Sequence, residues 1–242
     1  MKTNLFCRCS LGVLFAGLVM TVPAAWAQYW VSFDDHTRYL ALGDSLTAGY
    51  AAHPATQGFV YQLYQSGVID NVNHTLFCNM GVPGAMSQDV LDYQVPQAGR
   101  FFSDTGKPYR KIVTLTIGGN DMLQVLGGAD PQVVLARFAG NLAAILGNLI
   151  AQFPDARIYL ANQYDPMLPV AGDDALVASL NFVTASVVQS FQFNVVLVDV
   201  FSAFQGRKGL LLTEKTGAEM FQVHPTNAGY NVMAKAFADA IR

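Results

Sequence analysis

Tyr39-Leu40-Ala41-Leu42 runs straight into Gly43-Asp44-Ser45-Leu46-Thr47-Ala48-Gly49. The four apolar residues read as a buried strand, and the glycine, aspartate and serine behind them read as a sharp turn into a helix. Open α/β sheets place their ligands at the carboxyl edge of the strands, and a helix start directs backbone N–H groups towards developing negative charge. A hydroxyl at such a turn is sited to act as a nucleophile, which makes Ser45 the candidate centre. The plainer reading is a glycine turn with a serine N-cap, and these few residues alone do not choose between the two.

Working outward, the same alternation of strand and helix continues along the chain. Gly58 to Gln65 carries large apolar residues at helical spacing and stops at Ser66-Gly67. Thr75 to Cys78 reads as a second strand that delivers the loop Asn79 to Gly84, and Lys111 to Ile117, rich in β-branched residues, reads as a third that ends at Gly118-Gly119. Asp130-Pro131 is a helix start, an aspartate cap before a proline at the first position. Behind it Leu135, Phe138, Leu142, Ile145, Leu149 and Phe153 predict a long amphipathic helix ending before Pro154. Gly140 and Gly147 weaken that helix, which suggests a neighbour approaching closely there. Arg157 to Ala161 and Val195 to Val200 read as strands four and five, with a helix over Ala175 to Phe191 between them. A last helix after His224-Pro225-Thr226 shows Val232, Met233, Ala236, Phe237, Ala240 and Ile241 on one face. Strands alternating with helices predict an α/β fold, a parallel sheet covered on both sides in a three-layer α/β/α domain. The loop Asn162 to Asp174, just beyond strand four, is the expected place for substrate choice.

Three further blocks follow the Gly43-Asp44-Ser45-Leu46 turn in order: Asn79-Met80-Gly81-Val82-Pro83-Gly84, then Gly118-Gly119-Asn120-Asp121, then His224-Pro225. Together the four blocks resemble the GDSL, or SGNH, hydrolases, a family of serine esterases and lipases. The resemblance implies a flavodoxin-like sheet of five parallel strands. It also implies Ser45 as nucleophile, His224 as general base, and an oxyanion hole made by the N–H groups of Ser45 and Gly84 with the side chain of Asn120. Gly81 reads as a positive-φ residue of a tight loop, and Asp44 and Asp121 as structural groups that bond local N–H donors. Among the four histidines, His36, His53 and His74 stand in polar stretches and read as solvated, while His224 alone has the His-Pro context.

The chain departs from the family at one place. The usual aspartate three residues before the histidine is replaced by Phe221, and that acid normally fixes the imidazole tautomer. Three outcomes stay open: a main-chain carbonyl orients His224 in a Ser-His dyad, Glu219 reaches the ring, or activity is weak or lost. The last would make the chain a non-catalytic ligand-binding protein on the same scaffold.

The amino terminus has Lys2 and Arg8, an apolar run from Leu11 to Val22, and Ala25-Trp26-Ala27 before Gln28. This pattern predicts a secretory signal peptide over 1–27 and one hydrolase domain over 28–242, secreted or periplasmic. The run is too short for the roughly twenty residues of a membrane span, so no stable span is expected after cleavage. Net charge is −3 at pH 7, and the leader carries two of the bases, so nucleic acid and anionic membranes are poor partners. The expected partner is an ester substrate, whether a small molecule, a lipid or an acylated carbohydrate. Cys78 is the single cysteine left behind the leader, so no internal disulfide is expected and a buried packing role is the simplest one. The absence of a His-x-x-x-His, Cys-x-x-Cys, Gly-x-Gly-x-x-Gly or Walker pattern predicts neither metal nor nucleotide cofactor.

Overall fold

Leu40, Leu42, Val113, Leu115, Ile158 and Leu160 lie in one apolar cluster, while their chain neighbours Tyr39, Ala41, Ile112, Tyr159 and Ala161 lie in another. Side chains alternate across a strand, so two separate clusters mean a sheet buried on both faces. In the computed structural model these strands are β1 (Thr37–Gly43), β3 (Arg110–Thr116) and β4 (Arg157–Ala161), flanked by β2 (Thr75–Asn79) and β5 (Val195–Val198). The order is β2-β1-β3-β4-β5 and every pairing is parallel. The structure describes residues 36–103, 107–166, 173–207, 209–212, 214–216, 219–221 and 223–242, with the side chains of 173–174, 214–216 and 219–221 excepted. All of them belong to one compact unit, Phe33–Arg242, and the stretch 1–27 expected to be a leader lies outside the described residues.

Two helical layers supply the cover. One cluster joins the sheet to α4 (Val95–Phe101), α5 (Gly119–Leu126), α6 (Pro131–Gln152) and α7 (Asp173–Gln189). The other joins it to α2 (Phe59–Gln65), α8 (Val200–Phe204) and α9 (Asn227–Ile241), where Phe59 stacks on Phe237. Asp130 caps α6 through Gln132 N–H, with Pro131 at the first position, as the residue types predict. That helix has the length and apolar character of a membrane span, yet Val134, Phe138, Leu142, Ile145, Leu146 and Leu149 are buried against the sheet layer.

Several local readings need correction. A Cβ at Gly140 or Gly147 would meet nothing within 4 Å, so neither glycine serves a close approach. Val200 belongs to α8 and not to strand five, because Asp199 accepts Ser202 N–H and starts a helix there. The buried face of α9 is centred on Tyr230, Met233, Ala234 and Phe237, with Val232, Ala236, Ala240 and Ile241 at its margins. Several elements, α3 (Ser87–Asp89) and α4 among them, had no counterpart in the sequence pattern. The others include a π-helical turn at Val90–Gln94 between α3 and α4, the short helix α5, and an antiparallel pair β6 (Glu214–Thr216) and β7 (Glu219–Phe221). Pro96 falls within the first two positions of α4, where a missing N–H costs nothing.

Candidate active site

The connection after β1 is anchored on three sides. Gly43 N–H donates to Gln94 Oε1 (2.7 Å) and Gly43 C=O accepts from Gln94 Nε2 (2.8 Å), so one buried carboxamide from the π turn grips the residue where the strand ends. Asp44 caps α1 (Ser45–Ala48) by accepting Leu46 N–H at 3.0 Å, and its carboxylate also accepts the Thr116 hydroxyl at 3.0 Å. Thr47 Oγ1 lies 2.7 Å from Thr116 Oγ1 and donates to Leu42 C=O. Burial removes the Asp44 carboxyl from water and raises its pKa from 3.8 to about 6, even though four hydrogen bonds oppose the shift.

Ser45 opens α1 at the carboxyl edge, between the central strands where the strand order reverses. Its Oγ lies 3.0 Å from His224 Nε2, across 179 residues of chain. The imidazole arrives from the segment ahead of α9. His224 C=O accepts Leu212 N–H (2.8 Å), Val223 C=O accepts the Tyr164 hydroxyl, and Thr226 caps α9 through Gly229 N–H. Tyr50 packs its ring on the imidazole, with centroids 4.4 Å apart. Its N–H donates to Ser45 C=O and its C=O accepts the Tyr230 hydroxyl, so one residue ties the serine turn, the histidine and α9 together. Tyr50 and Gln94 were invisible to motif reading because their partners are distant in sequence.

The loop after β2 is stapled onto the serine helix. Asn79 Nδ2 donates to Thr47 C=O, and Asn79 Oδ1 accepts Gly81 N–H. Gly81 is not a positive-φ residue. A Cβ there would sit 2.4 Å from Ala48 N, so the glycine is needed because two backbones touch. Gly84 does take positive φ, +85°. Asn120, in the first turn of α5, lines the same cleft as Ser45 and donates one Nδ2 hydrogen to Ala85 C=O at 2.9 Å, which links it to the residue after Gly84. Asp121 is buried and its partner is not local. The carboxylate accepts both the N–H (2.9 Å) and the hydroxyl (2.5 Å) of Ser87, which fixes the far end of the Gly84 loop to α5, and burial raises its pKa.

The structure therefore brings Ser45, His224 and Asn120 to one cleft rim and places Gly84 on the adjoining loop. His36 and His74 instead face each other, Nδ1 to Nδ1 at 3.1 Å, and His36 precedes β1, away from the carboxyl edge. Cys78 is half-buried in β2. Among the described residues no group of three metal-ligating side chains occurs. The side chains of Glu219 and Phe221 lie outside the described residues, as does 167–172 of the loop after β4. The cleft is narrow, with a cavity volume of about 20 Å³. Leu46, Met122, Leu123, Tyr164, Pro166 and Val223 form its apolar wall, and Ser45, Asn120 and Gln163 bring polar groups to it.

A nucleophile-and-base pair at a strand-to-helix turn occurs on several folds, and comparison with known proteins narrows the choice. Residues 41–232 match the model of the GDSL-like lipase/acylhydrolase family. The spore germination lipase LipC of Bacillus licheniformis is 26% identical over 218 residues, covering 82% of this chain and 93% of that protein. Among solved structures, the lipase Lip_vut3 from a goat rumen metagenome aligns with TM-score 0.66 at 22% identity, over 84% of this chain and 97% of that one. Phospholipase A1 from Streptomyces albidoflavus aligns at 0.60 and 20% identity, over 85% and 99%. The acetylxylan esterase Axe2 of Geobacillus stearothermophilus aligns at 0.59 and 20%, over 85% and 94%. The structural likenesses bear on the fold, and the match over most of the chain settles the family: this protein belongs to the GDSL-like lipase/acylhydrolases and is a hydrolase that acts on esters.

Proposed function

We propose that the protein cleaves carboxylic esters through an acyl-enzyme on Ser45, with His224 as general base. The observation that carries this reading is the 3.0 Å separation of Ser45 Oγ and His224 Nε2, which is within reach for proton transfer. The hydroxyl oxygen attacks the ester carbonyl as its proton passes to Nε2. The tetrahedral oxyanion is received by the N–H groups of Ser45 and Gly84 and by the Asn120 hydrogen not donated to Ala85. Collapse expels the alkoxide, which takes the proton from the imidazolium. Water, deprotonated by His224, then attacks the acyl carbon and releases the carboxylic acid and the free serine. An acceptor at Nδ1 holds the tautomer in this scheme. A main-chain carbonyl is the first choice and the Glu219 carboxylate the second, since Phe221 has no acid to offer.

The substrate class is a small-molecule, lipid or carbohydrate ester. The named relatives span a lipase, a phospholipase and an acetylxylan esterase, and the half-apolar cleft suits an acyl or alkyl group beside the serine. Residues 1–27 act as a leader in this reading, and the chain over 28–242 works outside the cytoplasm, secreted or periplasmic. Hydrolysis of p-nitrophenyl esters from acetate to palmitate, by the protein and its Ser45→Ala variant, tests the scheme. Loss of turnover in the variant is the expected result. Turnover that survives it, or no turnover of any ester by folded protein, overturns the reading, and the second outcome favours a ligand-binding role.

A further inference from the structure

Gln163 stands two residues beyond β4, on the carboxyl edge, and its backbone is held on both sides by one side chain. Asn181 Oδ1 accepts Gln163 N–H at 2.7 Å, and Asn181 Nδ2 donates to Gln163 C=O at 2.8 Å. The residue is only 8% exposed, and it borders the cleft that holds Ser45 and Asn120. Yet its carboxamide makes no hydrogen bond to any described residue. Other buried or half-buried amides in the molecule do the opposite: Gln94 grips Gly43 with both ends, Asn141 donates to Ser87, and Asn120 donates to Ala85. Gly119 supplies the space for this arrangement, because a Cβ there would lie 3.3 Å from Gln163 Oε1. Among the described residues every buried side-chain nitrogen and oxygen has a partner, so the unbonded Gln163 carboxamide opens on the cleft, available to bond what enters it. The group that enters this cleft is the substrate.

We propose that Gln163 is a specificity residue that hydrogen-bonds an oxygen substituent of the ester, so that oxygenated esters are favoured over plain hydrocarbon ones. This rests on Ser45 being the nucleophile, since it is the shared cleft that brings the carboxamide to the bound ester. A carboxamide both donates and accepts, and therefore suits a hydroxyl, which can come from either half of the substrate. A site that bonds a substrate hydroxyl discriminates against the analogue lacking it, because the site's own polar group is then left unpaired.

Two matched pairs of substrates read the effect and its source. Glyceryl monobutyrate against propyl butyrate varies the alcohol half, and ethyl 3-hydroxybutyrate against ethyl butyrate varies the acyl half. In the wild-type protein, one pair is expected to favour the hydroxylated ester by about tenfold in kcat/KM, the scale of one hydrogen bond with its partner left bare. In Gln163→Met, which keeps length and loses both polar atoms, that ratio is expected to fall to about one. A purely structural role would lower both members of a pair together and leave the ratio intact, and this result overturns the proposal. So does the absence of a preference in both wild-type pairs, which needs no variant. Turnover of the plain esters that persists in Ser45→Ala marks failure of the underlying mechanism, a separate outcome from an unchanged ratio.

Discussion

Replacing Asp44 by asparagine should remove a pH dependence of folding that the wild-type protein has between pH 4 and 6. The carboxyl is sealed beneath the serine turn, and its pKa is raised to about 6 from 3.8 because burial disfavours the charged form. Below about pH 4 the group is protonated in both folded and unfolded chains, and it imposes no penalty. As pH rises, the unfolded chain loses this proton first, so folded stability falls until the folded-state group also ionises near pH 6, and then levels off. At about 1.4 kcal/mol for each tenfold in proton affinity, the difference amounts to about 3 kcal/mol. For a domain of this size that corresponds to about 6–12 °C in Tm. Asp121, also raised, slopes the same way, while Asp70, Asp199 and Asp239, all lowered, slope the other way. The informative quantity is therefore the wild-type value minus that of Asp44→Asn, measured by thermal and urea unfolding from pH 4 to pH 7. The variant has its own constant cost, and the difference should drift by about 3 kcal/mol in its favour as pH rises. A difference that stays flat across the range would refute the argument.

Gln94→Leu should cost about 2–4 kcal/mol in a urea melt, because Gly43 N–H loses its acceptor and Gly43 C=O loses a donor beneath the surface. It should also lower kcat more than it raises KM, and unchanged stability would mean that the carboxamide is not what holds the turn. Asn120→Ala should reduce kcat by about 10²–10³ if the amide is an oxyanion donor, beside a loss of about 1 kcal/mol of stability with its bond to Ala85 C=O, and a loss below tenfold in steady-state kinetics would remove it from that role. Gly140→Ala and Gly147→Ala should each raise stability by about 1 kcal/mol, since an added Cβ has open space around it. A fall in Tm for either variant would show that the helix needs the gap.

What could be read from the chain divides along the distance between interacting partners. β3, rich in β-branched residues, was legible because strand propensity is local, and so was the start of α6, where Asp130 bonds Gln132 only two residues on. The pairing of Ser45 with His224 was legible only through the ordered family blocks, since no periodicity links residues 179 apart. Gln94 and Gly43 lie 51 residues apart, and nothing near either announces the other. Gly81 shows the same limit in another form. Its glycine reads as a φ requirement from the chain, while the actual demand comes from the backbone of Ala48 pressed against it. Asp121 reads as a group that bonds local N–H donors, because its true partner, Ser87, sits on a separate helix.

The carboxyl edge of the sheet has one more consequence, for how this molecule can be changed. Ser45 follows β1, Gly84 follows β2, Asn120 follows β3, and Gln163 follows β4. The first three are cross-linked to one another through Asn79, Ala85 and Ser87, so altering any of them disturbs the others. Gln163 is fastened instead to α7, through Asn181. Apart from Tyr164, whose hydroxyl holds Val223 C=O beside the histidine, the segment after β4 is thus the replaceable part of the cleft: it can be exchanged for another sequence while the reaction machinery keeps its own bracing. Directed evolution of a new ester preference should accumulate substitutions there and around Asn181, and leave 43–49 and 79–87 untouched.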